Sequence, residues 1–160
     1  MRHAKSDWEA VYGSDHDRPL NERGVRSARL MGRALSAKGL EPRYVISSTA
    51  LRARTTAELA NEAGNWEAAL SLDRALYESG PQDVLAVAAG APDVSRLMLV
   101  GHQPTWSMLV AELTGERVVM KTATVVVVEV DLDSWGGLPS ARGALAAVLD
   151  PKSEELGPVG

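Results

Sequence analysis

The spacing of apolar residues changes character repeatedly along the chain. Val25, Ala28, Met31 and Leu35 recur at helical intervals between Asn21 and Lys38, with Asn21 placed to cap the start and Gly39 to stop the helix. The other face carries Arg23, Arg26, Arg29 and Arg33 and reads as solvated. Arg43 to Ser47 is a short strand-like run, and Leu51 to Ala63 is helical, ending at Gly64. The pair then repeats. Ala69 to Leu72 predicts a weak strand and Pro81 to Ala89 a helix, with Pro81 in the first turn, where a missing N–H costs nothing. Leu97 to Val100 predicts a buried strand and Pro104 to Leu113 a helix stopped by Gly115. Two β-rich segments follow, Thr124 to Val130 and Leu145 to Leu149, separated by a Gly/Pro/Ser loop at Ser134 to Arg142. Alternating strand and helix predicts an α/β three-layer sandwich over residues 1–150, with 151–160 as a disordered tail.

Composition narrows this picture. With 160 residues, 45% hydrophobic and 24% charged, the chain fits one domain with a single core. Phe is absent, so Val, Leu, Ala and Met must fill that core, and with no Cys there is no disulfide framework. A net charge of −4 argues against nucleic acid as a partner. The lack of a secretory h-region or a membrane-spanning apolar run gives the expectation of a cytoplasmic protein that does not bind membranes.

Three stretches place Arg or His where open α/β sheets bind ligands, at the ends of strands. They are Arg2-His3, then Ser47 to Thr56 with Arg52 in the first helical turn, then Val100-Gly101-His102-Gln103-Pro104. Guanidinium forks bind phosphate oxygens, and a neutral imidazole can attack phosphorus. Phosphoryl transfer needs little beyond such positioning and fixed positive charge.

These stretches, together with Arg2 to Asp7 and Asp17-Arg18-Pro19-Leu20-Asn21-Glu22-Arg23-Gly24, resemble in order and spacing the histidine phosphatase superfamily, in particular its small SixA-like branch, over residues 1 to about 130. The resemblance implies a phosphoglycerate mutase-like fold with a mostly parallel central sheet. It implies His3 as the phosphorylated nucleophile, Arg2 and Arg52 as the phosphoryl clamp, His102 as a donor from the opposite side, and Arg18 as a phosphate or substrate contact. No metal or other cofactor is implied. Gln103 stands where the acid phosphatase branch has an acid, and the resemblance to the mutase-like branch, which uses a mid-chain Glu, makes Glu78 the best-placed proton donor, ahead of His16, Asp15 and Asp17. Short connections leave an open rim, which favours a phosphohistidine-bearing protein as substrate over a glycolytic mutase role, with a small phosphomonoester as the other candidate.

Two alternatives remain open at this stage. Members of the family begin with an apolar strand that ends at the Arg-His pair, whereas here Met1 directly precedes Arg2. A catalytically impaired phosphate-binding or regulatory module of the same fold is therefore the second reading. A weaker third is a metal hydrolase using His3, His16 and Asp15 or Asp17, residues that lack the fixed spacing of a metal site. The oligomeric state is not legible.

Overall fold

The computed structural model describes residues 1–156. Strands β1 (Tyr44–Ser47), β2 (Ala69–Leu72) and β3 (Leu97–Val100) form a parallel sheet in the order β2-β1-β3, with Tyr44 opposite both Ala69 and Leu97. Side chains alternate across a strand, and the two faces feed two cores. Val45, Met98 and Val100 pack with Ala28, Met31 and Leu35 of α1 (Glu22–Ala37) and with Ala53, Ala57 and Ala60 of α2 (Leu51–Gly64). Ile46, Leu97 and Leu99 pack with Val84, Leu85 and Ala88 of α3 (Pro81–Ala89) and with Trp106, Leu109 and Val110 of α4 (Thr105–Thr114). This is the α/β/α sandwich expected. Its remaining strands, β4 (Val125–Val130) and β5 (Gly143–Leu149), form an antiparallel pair.

The predicted helices and strands agree with the structure to within a residue or two. Asn21 accepts a hydrogen bond from Gly24 N at 2.8 Å, as a capping residue does. Helix α2 runs through Gly64 rather than stopping before it, and Asn65 takes the left-handed conformation at φ 51°. The loop between β4 and β5 contains a 3-10 turn at Trp135–Ser140.

One expectation is corrected. Residues 151–160 were predicted to be disordered, but Pro151–Glu155 forms helix α5. Asp150 caps it by accepting from Ser153 N at 3.0 Å, Pro151 occupies its first turn, and Glu154 pairs with Lys38 just beyond α1 at 3.7 Å. Residues 157–160 lie outside the described residues. No helix among the described residues is long and apolar enough to cross a membrane.

The amino end is seated in the sheet. Met1 N donates to Leu99 O at 2.8 Å, Gly101 N to Met1 O at 3.1 Å and His3 N to Gly101 O at 3.0 Å, which continues the ladder parallel to β3. On the other side Arg2 N donates to Thr124 O and Ala123 N to His3 O, both at 3.0 Å. Leu97 and Leu99 of β3, Val126 and Val128 of β4, Met1 and Leu109 line a cavity of 200 Å³.

Candidate active site

His3 leaves the Met1–His3 ladder at the carboxyl end of the parallel strands, beside the turn after β3 that carries His102. Two glycines make room. A Cβ on Gly101 would lie 2.0 Å from the Trp106 ring, and one on Gly24 would lie 2.1 Å from the Lys5 carbonyl, so α1 can approach the segment that follows His3 only because position 24 has no side chain. Ala4 N donates to Thr56 Oγ1 at 3.0 Å, fixing the backbone just past the nucleophile candidate.

His3 is 8% exposed, and its ring centroid lies 5.2 Å from that of His102. Its Nδ1 is 2.7 Å from the Ala4 carbonyl oxygen. A carbonyl only accepts, so Nδ1 carries the hydrogen and Nε2 is left with a free lone pair. Burial, reinforced by the charges of Arg52, Arg2 and Arg18, pushes the His3 imidazole down to about 4. Burial and the neighbouring His3 and Arg52 push His102 down to about 3. Both rings are therefore neutral near pH 7, as a nitrogen nucleophile must be. His102 Nε2 lies 2.9 Å from Ser48 Oγ, which orients it.

Arg52 is 5% exposed and lies at the start of α2. Its Nη1 donates to the Asp15 carbonyl at 2.7 Å and its Nη2 to the Asp15 carboxylate at 2.9 Å. Arg2 Nη1 donates to Met120 O at 2.9 Å. The Nε atoms of both arginines are buried without a hydrogen-bond partner. Both guanidinium groups line one cavity with His3 and His102, a concentration of positive charge that suits an anion.

Arg18 is buried as well, and its Nε donates to Ser6 Oγ at 3.0 Å while Nη1 pairs with Asp15. Partial burial opposes the charge on Asp15, but hydrogen bonds from Tyr77, Arg52 and Arg18 outweigh it and hold the carboxyl down at about 2. Asp15 is thus an acceptor and not a proton donor. The Tyr77 hydroxyl donates to Asp15 Oδ2 at 2.8 Å.

One cavity of 480 Å³ brings together Arg2, His3, Arg18, Arg52, Glu78 and His102. His16 is outside its lining: Nε2 meets Thr49 Oγ1 at 2.8 Å and the ring packs edge-on against Tyr77. Asp17 also lies outside, accepting from Ser14 Oγ at 3.2 Å. Glu78 is exposed at the mouth, in the left-handed conformation at φ 53°. Among the described residues no three His, Asp or Glu side chains are grouped so as to hold a metal ion. The sequence gives no structural role to Ser48, Tyr77 or Trp8, and leaves Asp15 as an acid, a metal ligand or an exposed partner of Arg18. The Asp15-to-Arg18 spacing of one helical turn was the available sign of its pairing.

A match to the histidine phosphatase superfamily (branch 1) covers residues 1–84. The chain belongs to that superfamily. It lies in the SixA-like branch: a SixA from Nakamurella multipartitia superposes with a TM-score of 0.80 at 30% identity, covering 94% of this chain and 93% of that one. The protein histidine phosphatase SixA complexed with tungstate superposes with a TM-score of 0.78 at 26% identity, covering 96% of each chain. An uncharacterized protein of Mycobacterium tuberculosis is 40% identical over 116 residues, 72% of this chain and 70% of its own. The matches span from 66% to 80% of the length of the curated relatives. The family match and the SixA likeness together support a phosphatase.

Proposed function

We propose that this chain hydrolyses phosphohistidine on a protein, through phosphorylation of His3. The observation that carries the reading is the neutral His3 ring, with its Nε2 lone pair free, in one cavity with His102 and the guanidinium groups of Arg2 and Arg52. The SixA relative is complexed with tungstate, an oxyanion, which supports an anion-binding reading of this chain.

In the first step His3 Nε2 attacks phosphorus in line with the leaving nitrogen. The Nε2–P bond forms and the P–N bond breaks. A substrate imidazole protonated on its distal nitrogen takes the electron pair and departs neutral. Arg2, Arg52 and His102 donate hydrogen bonds to the oxygens, where charge accumulates in the transition state. In the second step water attacks the phosphorus of phospho-His3, Nε2 recovers its electron pair, and both water hydrogens remain on the released phosphate. Glu78 is the candidate to protonate a poorer leaving group: of the two carboxylates lining the cavity, it alone makes no ion pair with an arginine.

The impaired, phosphate-binding alternative depended on a loose amino end. The hydrogen bonds to Arg2, His3 and Ala4 from both sides support the active reading instead.

Turnover of a phosphohistidine-bearing protein and of phenyl phosphate by wild type, His3→Ala and His102→Ala tests the proposal. Neutral-pH mass spectrometry should find an acid-labile phosphate on His3 of the wild type and none on His3→Ala. Undiminished hydrolysis by His3→Ala, or no turnover of the phosphohistidine protein by wild type, would overturn it.

A further inference from the structure

The leaving group of an in-line transfer departs on the side of phosphorus away from His3, toward the mouth of the cavity. The exposed charged or aromatic side chains that line this cavity are Lys5, Trp8, Asp15 and Glu78, with Tyr77 partly exposed beside them. The Tyr77 ring is already engaged, edge-on against His16 at 4.9 Å and His102 at 5.5 Å between centroids, and its hydroxyl is bound to Asp15. Trp8 differs. It is 64% exposed although it is a large aromatic residue, and it lines the same cavity as His3 and His102.

Its ring is also held in place. The Arg18 guanidinium carbon lies 3.6 Å from the indole centroid, a stacked cation–π contact. Arg18 is itself buried and fixed by Ser6 and Asp15, so one face of the indole rests on a rigid support. The Trp8 loop is anchored by Asp7 N donating to Pro19 O at 2.8 Å and by the Ser6–Leu20 bridge. The exposed surface therefore belongs to the opposite face and edges of the ring. A flat apolar surface with a fixed orientation, lining the cavity that a leaving group must cross to depart, suits a planar ring.

We infer that Trp8 is a specificity-determining residue, a stacking platform for the aromatic ring of the leaving group. This rests on the phosphatase reading above and refines it: the site selects phosphoryl groups carried on a planar ring, the substrate imidazole first among them, over those on an amine or alkyl group. Stacking is present before and during transfer alike, so it lowers KM more than it raises kcat.

The test compares wild type, Trp8→Ala and Trp8→Phe on three substrates: a phosphohistidine peptide, phenyl phosphate, and phosphoramidate, which has the P–N bond without a ring. The quantity read is kcat/KM for each ring-bearing substrate divided by that for phosphoramidate. Trp8→Ala should lower this ratio by about threefold to tenfold, mostly through KM, as expected for loss of one aromatic pair, and Trp8→Phe should restore most of it. An unchanged ratio in Trp8→Ala would overturn the inference; if all three activities fall together, Trp8 acts only by holding Arg18. If wild type fails on the phosphohistidine peptide, the substrate reading falls, and the phenyl phosphate ratio still decides the role of Trp8.

Discussion

Arg52 is gripped by Asp15 through both outer nitrogens, at 2.7 Å to the carbonyl and 2.9 Å to the carboxylate. The same carboxylate also holds Arg18 and Tyr77. Asp15 thus sets the direction in which the clamp faces the cavity. In Asp15→Asn the neutral amide keeps the shape but loses the charge-assisted bonds. We expect kcat/KM to fall about tenfold or more for phosphohistidine and ester substrates equally, the scale for losing a hydrogen bond to a charged group. An increase would mean that the carboxylate competes with phosphate for Arg52 and does not merely orient it.

The titration of His3 and His102 gives a second prediction. Each folded-state value lies below the ordinary 6.5, at about 4 and about 3. The unfolded chain therefore binds more protons than the native one as pH falls from about 6.5 toward these values, and stability declines over that window. NMR titration of the imidazole resonances in a His16→Gln background should show both rings neutral at pH 5.5, while Tm drops between pH 6.5 and 4. A midpoint near 6.5 for His3 would contradict the buried, cation-surrounded environment described here.

Glu78 and Asp15 are distinguishable by chemistry. An ester leaves as an alkoxide or phenoxide that needs a proton, whereas an imidazole protonated on its distal nitrogen does not. Glu78→Gln should therefore lower phenyl phosphate hydrolysis by about a hundredfold, within the range for general acid catalysis, and phosphohistidine hydrolysis far less. Equal losses on both substrates would remove Glu78 as the proton donor.

Local signals made most of the fold legible. Asn21, Pro81 and Gly115 mark helix ends through interactions confined to a few residues, and the boundaries they predict agree with the structure. The same kind of signal, Asp150 followed by Pro151, was present for α5 but was outweighed by the polar composition of the residues that follow. The site was legible as to its residue types, because Arg52 and His102 each follow a strand and Arg2-His3 matches the family's paired motif. Their support was not. Ser48 beneath His102 and Trp8 against Arg18 are contacts between segments distant in sequence or placed by a loop, and no spacing rule encodes them.

Position 101 links the fold to the chemistry. Gly101 lies between β3 and His102, pairs with Arg2, and faces the Trp106 ring so closely that an added Cβ would fall 2.0 to 2.4 Å from three of its carbons. Trp106 is 3% exposed and its indole N–H is bound to Leu99 O at 3.1 Å, so the ring cannot swing aside without losing that bond and its packing. Gly101→Ala should thus move the backbone instead, and with it both the His102 turn and the Arg2-His3 ladder. Overpacking of this kind costs about 1–3 kcal/mol, which for a chain of this size is a Tm lower by several degrees. The loss of kcat should exceed what the fraction unfolded explains, because two imidazoles 5.2 Å apart are displaced together. A Gly101→Ala protein with a lowered Tm but full kcat at 25 °C would show that the sheet absorbs the strain without passing it to the site.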